Sequence, residues 1–361
     1  MPPRVLYQRL CLRLQACVPE LGVWPRQRVA LLVTGLLLAR HAALPRLASQ
    51  LRQVSASAHA DSIERRLRRT LADRALDAPQ LFEQFAQASL RHLPAGRYLL
   101  LLDDTEQTSQ AQVSMLALAY AGRALPLAWC RWTGPLHGTY WRQIEGLFCQ
   151  AARLLPPQVR PVVVADRGIV SPRLIHLIEA YGWDYVLRAR GNTILRLPDQ
   201  PRGVQLRRLL TAPGQPGLAL SGWLFQARPL WTHVVAVWKR GYQEPWLLIS
   251  NLDLGFSLVE VYARRMHVEA LFRDAKSGAF EWELSRVRQA ERARRLLLAI
   301  MLAMWCAVLL GEASLRAREI PAYGRRAHAV SLLRRGLDWL RAPPRARCFR
   351  WALDPSIPVR I

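Results

Sequence analysis

SLVEVYARRMHVEALFRDAK, residues 257–276, reads as one helix. Ser257 followed three residues later by Glu260 has the form of a capping box, in which the two side chains satisfy backbone N–H groups that a first helical turn leaves free. Gly278 can stop the helix, because glycine takes the left-handed turn that ends helices. Tyr262, Arg265, Glu269 and Lys276 stand at offsets 0, 3, 7 and 14. At about 100° per residue these fall within an arc of roughly 60°. Val261, Val268, Leu271, Phe272 and Ala275 fall on an adjacent arc suited to burial. The row of one tyrosine, two cations and one carboxylate is therefore either the solvated side of an amphipathic helix or a reactive row on an anchored one.

Two observations favour the reactive row. Lysine is scarce: the chain has 49 arginines but only Lys239 and Lys276, so composition alone would place arginine at 276. The spacing Y-x2-R-x3-E-x6-K is also a known signature, expected by chance in on the order of one in a few thousand such chains. On Tyr262, Arg265, Glu269 and Lys276 the chain resembles the insertion-sequence-four type of DDE transposase. The resemblance implies two upstream aspartates, each at the end of an apolar strand.

The remaining composition agrees with such a class. At 361 residues the chain can hold two or three cores, and 51% apolar residues exclude a disordered chain. The net charge of +25 calls for an anionic partner, nucleic acid first. Codon bias can replace lysine by arginine, but it does not create a two-fold excess of cations over carboxylates. Six scattered cysteines without a CxxC pair argue against zinc and for a reduced, cytoplasmic setting. No secretory signal is visible. The longest apolar run, Leu296–Leu310, has fifteen residues, short of the about 20 a membrane span needs, and reads as a buried helix.

Residues 1–95 read as an all-helical domain, with helices at Arg26–Arg40, Leu44–Val54 and Asp61–Ala72, the last N-capped by Asp61. That third helix carries Arg65, Arg66, Arg68 and Arg69. It is read as the DNA-contacting helix of a helix-turn-helix-like domain, against the alternative of a basic surface helix in a bundle. Strands follow at Tyr98–Leu102, Val113–Ala121, Leu125–Trp132, Val162–Ala165 and Asp184–Arg188, with helices at Thr139–Leu155 and Pro172–Tyr181. This order, βββαβαβ, is that of an α/β, ribonuclease-H-like mixed sheet with flanking helices, spanning 96–311. Four further strands at about 190–251, Gln205–Leu210, Leu218–Gln226, Thr232–Lys239 and Trp246–Ser250, read as a β-rich insertion. It carries Trp223, Trp231, Trp238 and Trp246, which either stack on an extruded base, as the resemblance implies, or fill a small core. A long helix at Arg286–Leu310 backs the sheet. Residues 312–361 form a C-terminal tail with a helix at Ala329–Leu340 and a Pro/Arg-rich end.

Two of the twelve aspartates close apolar strands: Asp103 and Asp166. A carboxylate there serves no packing purpose and is costly to bury without a cation. The first and fourth strands of this fold are neighbours, so Asp103, Asp166 and Glu269 are expected to converge. Asp104 points to the other face of its strand. Three oxygen ligands suit Mg²⁺ or Mn²⁺, two ions of which can clamp a phosphodiester. Tyr262, Arg265 and Lys276 are then expected on DNA phosphates. The resemblance implies a transposase that cuts and pastes DNA, acting as a homodimer on terminal inverted repeats and target DNA. A hairpin intermediate and a nucleoid-associated prokaryotic setting go with it, and no membrane. The alternatives are a metal nuclease on the same fold, an inactive transposase-derived DNA-binding protein, and a membrane-surface protein.

Overall fold

In the computed structural model, residues 1–55, 59–108, 111–133, 139–317, 330–341 and 353 are described. The Pro/Arg-rich tail and the expected helix start at Ala329 lie outside them.

Strand β1 (Gly96–Thr108) is the axis of the sheet. Its Leu100, Leu101 and Leu102 are fully buried, which only a strand covered on both faces permits. It pairs antiparallel with β2 (Ala111–Tyr120), which turns through Ala121 and Gly122, both at positive φ, into β3 (Arg123–Thr133). On its other side β1 runs parallel to β4 (Val159–Ala165), and β4 parallel to β5 (Asp184–Arg188). The crossovers carry α6 (Tyr140–Leu154) and α7 (Pro172–Ala180). The order β3-β2-β1-β4-β5 is the ribonuclease-H-like arrangement expected from sequence.

The strands of the insertion extend this same sheet. Strand β10 (Trp246–Ser250) pairs antiparallel with β5 and carries β9 (Leu230–Val237), β8 (Leu218–Leu224) and the hairpin β6 (Ile194–Leu197) and β7 (Gln200–Gln205) beyond it. The result is one sheet of ten strands. The expected strand Gln205–Leu210 is corrected: Leu206–Arg208 form a 3₁₀ turn, and the spacing of the buried Leu206 and Leu210, four residues apart, fits a helical turn as well as a strand.

The N-terminal segment is helical throughout: α1 (Pro3–Cys17), α2 (Val23–Ala39), α3 (Leu44–Gln50), α4 (Ala60–Ala72) and α5 (Ala78–Leu90). Asp61 lies in the first turn of α4, whose N-cap is His59. Three of these helices, α2, α4 and α5, pack on α10 (Ala290–Arg316), which also packs on β3. By composition α10 is long and apolar enough to cross a membrane, yet its most apolar stretch is 94% buried within the fold. The Trp305 indole donates to the Pro126 carbonyl at 2.8 Å, and its ring meets Phe85 edge-on. Helix α10 starts at Ala290, not Arg286, because Arg286 is left-handed (φ 56°) and Trp282–Ser285 form a separate 3₁₀ turn. Helix α11 (Leu332–Arg341) crosses α10 with backbones in contact: a Cβ on Gly336 would lie 1.9 Å from the Ala307 carbonyl oxygen.

The single helix expected over 257–276 is three pieces, α8 (Ser257–Ala263), α9 (Met266–Arg273) and a π turn, Asp274–Gly278. The capping box does not form: Phe256 precedes α8 and no side chain caps it. Between α8 and α9 the amides of Arg264, Arg265, His267 and Val268 bond to the carbonyl three residues back. Such a step turns about 120° per residue, tighter than an α-helix, while a π turn is wider. The two departures offset each other in phase, so Arg265, Glu269 and Lys276 still line one cavity, while the buried Tyr262 meets Asp166 through its hydroxyl.

Candidate active site

Leu102 of β1 pairs with Ala165 of β4, so the next residues, Asp103 and Asp166, leave adjacent positions at the same end of the sheet. Helix α9 lies over this end and brings Glu269. All three carboxylates line one open cavity of about 530 Å³, together with Arg265, Lys276 and Glu283.

Arg265 is the centre of the cluster. Its guanidinium donates to Asp103 Oδ2 at 3.1 Å and also to Glu269 Oε1, one turn along its own helix. Tyr262 does not reach outward toward a phosphate. Its side chain is buried, its hydroxyl donates to Asp166 Oδ1 at 2.8 Å, and Trp246 packs edge-on against its ring at 5.0 Å. Lys276, on the π turn, stands 3.4 Å from Thr105 Oγ1 and 3.4 Å from Glu283. Asp104 points away from Arg265 and accepts from the Tyr140 hydroxyl at 2.8 Å, as alternation along β1 requires.

The two aspartates differ electrostatically. Burial pushes the Asp103 carboxyl up to about 6, against the charge of Arg265 and the Asp104 amide, with Asp104 and Glu269 adding to the rise. Burial acts on Asp166 too, but the Arg167 amide, the Tyr262 hydroxyl, Arg265 and Arg188 outweigh it and hold its carboxyl below the ordinary range. One carboxylate is thus firmly ionised, while at its neighbour burial outweighs the compensation that Arg265 supplies.

The donor chemistry suits a hard divalent cation. Among the described residues no three His, Cys, Asp or Glu side chains are grouped closely enough to hold a metal ion. The reason is visible: the Arg265 guanidinium stands between Asp103 and Glu269 as a cation already in place. The residues therefore fit the expected ions by donor type, while Arg265 occupies the space between two of the three carboxylates.

Arg65, Arg66, Arg68 and Arg69 are exposed on α4, whose opposite side buries Ile63, Leu67 and Leu71. None of the four lines the acidic cavity. Arg68 is paired with Glu64. Of the insertion's tryptophans, Trp223 and Trp231 are exposed and meet edge to face at 5.3 Å, while Trp246 supports Tyr262.

Sequence reasoning missed Arg188 and Glu244. Arg188 ends β5 beside Asp166, 3.7 Å away, and is itself held by Glu244 at 2.9 Å. Its place at the end of a strand next to β4 was the available signal.

Residues 147–306 match the family described as Transposase DDE domain. The matched stretch contains Asp166, Tyr262, Arg265, Glu269 and Lys276 and begins after Asp103. No curated protein matches the chain. Among solved structures it is similar to a piggyBac transposase synaptic complex with hairpin DNA, determined by cryo-EM, at 11% identity and a TM-score of 0.43, over 96% of this chain and 81% of that one. A ribonuclease-H-like sheet with aspartates ending two adjacent parallel strands, and a match over residues 147–306, make the chain similar to transposase DDE domains.

Proposed function

We propose that the protein is a DNA transposase that cleaves and joins phosphodiester bonds at the ends of an insertion sequence, by cut-and-paste transposition. The observation that carries this reading is the meeting of Asp103, Asp166 and Glu269 in one open cavity from β1, the end of β4, and α9. The net charge of +25 supplies the general affinity for DNA. The terminal inverted repeats would be bound as a homodimer.

Asp103, Asp166 and Glu269 would hold two Mg²⁺ or Mn²⁺ ions. When bound, such ions activate the attacking oxygen and stabilise the leaving one. The protein's own part is positioning. Tyr262 fixes the Asp166 carboxylate through its hydroxyl, and Trp246 fixes Tyr262. Arg265 keeps Asp103 and Glu269 neutralised until DNA arrives, then exchanges its carboxylates for a phosphate, which its fork can grip at two oxygens. Lys276 offers a second, point-like charge to the backbone at the cavity rim.

Glu269→Gln keeps the side-chain size and removes the negative charge. Single-turnover nicking of a terminal-repeat duplex in Mg²⁺ should fall by several orders of magnitude, with end binding unchanged or slightly stronger. Lys276→Ala should weaken binding and lower the salt slope by about one, with a smaller loss of nicking at saturation. Nicking at the wild-type rate by Glu269→Gln would rule out the three-carboxylate site.

A further inference from the structure

The molecule has a second cavity of about 530 Å³, between the N-terminal helices and the segment that leads from the π turn to α10. Its walls carry Arg46, Arg68, Arg286, Arg288 and Arg292, and among the described residues no carboxylate lines it. Arg46, Arg286, Arg288 and Arg292 are exposed. Arg68 is held by Glu64, whereas the other four make no ion pair among the described residues. This concentration of one sign favours an anionic occupant.

The wall between the two cavities is a single 3₁₀ turn, Trp282–Ser285. Glu283 faces the acidic cavity, and the next residues, Leu284 and Ser285, face the basic cleft. The turn is flanked by left-handed residues on both sides, Glu281 (φ 46°) and Arg286 (φ 56°). Neither is glycine, so the conformation is held by its surroundings. Part of that hold is Glu281, which pairs at 2.9 Å with His41 in the turn between α2 and α3. The strained ridge is thus tied to the helical wall opposite it.

We infer that this cleft binds the sugar-phosphate backbone of duplex DNA and delivers it over the Trp282–Ser285 ridge into the acidic cavity. The number and source of the charges favour a polyanion over a small anion: five arginines from two separate walls, the N-terminal helices and residues 286–292, line the cleft, and Arg68 brings α4 to its rim. The exposed Leu284 at the crest gives an apolar contact for a sugar or a base at the point of entry. The inference takes DNA as the substrate from the proposed function. It adds where the flanking duplex lies.

The test is salt-dependent binding of a fluorescein-labelled, random-sequence 30-base-pair duplex to the full chain. Arg46→Gln, Arg288→Gln and Arg292→Gln are combined in one variant. A control combines Arg4→Gln, Arg91→Gln and Arg160→Gln, which removes the same charge; Arg91 and Arg160 precede β1 and open β4, at the other end of the sheet. Each phosphate contact is worth about 0.9 in the log–log salt slope, so the cleft variant should lose about 2 to 3 and the control well under one. An unchanged slope in the cleft variant, or an equal loss in the control, overturns the inference. A photoreactive benzophenone side chain introduced at Leu284 gives a reading that needs no loss of charge. Crosslinking to the duplex is expected, and its absence counts against the cleft. Nicking by wild type and its loss in Glu269→Gln judge the proposed chemistry separately from both.

Discussion

At neutral pH Asp103 carries a charge in surroundings that disfavour it. Burial pushes its carboxyl up to about 6, above the ordinary value, so the folded chain holds this proton more tightly than the unfolded chain. The resulting stabilisation is present at low pH and is lost as pH rises through about 6. Metal-free protein should lose stability through this residue between about pH 4 and 6, by at most about 3 kcal/mol. Asp103→Asn removes that dependence. Urea unfolding at pH 4.5 and pH 7 should show the variant gaining on wild type across the window, and a constant difference would show Asp103 to be an ordinary carboxylate. The place of this residue beside Arg265 was legible in part: an apolar run ending in two aspartates turns them to opposite faces, and Asp103 meets Arg265 while Asp104 accepts from Tyr140. The state of Arg265 was not. Which of several charged partners a guanidinium chooses depends on distances among β1, α8 and α9 that spacing along one helix does not contain. Tyr262 shows the same limit: its offset placed it on the row, but Trp246, from β10, decides that it is buried.

Among the elements, α10 and α11 are joined in a way no hydrophobic pattern announces. A Cβ at Gly336 would lie 1.9 Å from the Ala307 carbonyl and 2.7 Å from the Gly311 amide nitrogen, and both are backbone atoms that cannot step aside alone. Gly336→Ala should therefore undock α11, together with the Arg40–Asp338 ion pair that ties it to the end of α2. Overpacking of this kind costs about 1–3 kcal/mol or more, and limited proteolysis within 330–341 should accelerate well before global unfolding. Resistance equal to wild type would mean that the crossing has slack. The strands were legible where period and burial agree, as in Leu100–Leu102 of β1 and Leu247–Ile249 of β10. Helix boundaries near 260–290 were less so. There the chain passes through 3₁₀, π and left-handed turns, all fixed by tertiary contacts, and propensity favours none of them.

For the molecule as a whole, the helices of residues 1–95 and the sheet share α10. From Ala293 to Gly311 nearly every side chain of α10 is buried, with α2, α4 and α5 on one side and β3 on another. Removing residues 1–95 would uncover a long apolar strip, and exposed strips of that size drive association. A fragment beginning at Arg97 should be insoluble or aggregated by size-exclusion chromatography; a soluble monomer would show that α10 can bury itself on the sheet alone. The five-strand core order was readable from the alternation of elements. Its continuation into ten strands was not, because whether an insertion pairs with β5 or stands apart is settled by the antiparallel ladder from β10 to Val186–Arg188.

The central position of α10 also sets a timetable. On the ribosome the chain appears from its N-terminus, at about 5–20 residues per second. Apart from α11, the elements that pack on α10, namely α2, α4, α5 and β3, are therefore made before Ala290 is reached, and they wait for it, from roughly 8–30 s for β3 to roughly 13–50 s for α2. During that interval the parts of β3, α2 and α5 that α10 covers stand open. An interrupted translation yields an unfinished core rather than a smaller folded unit, and every newborn molecule passes through a stage in which apolar surface meant for α10 stands uncovered.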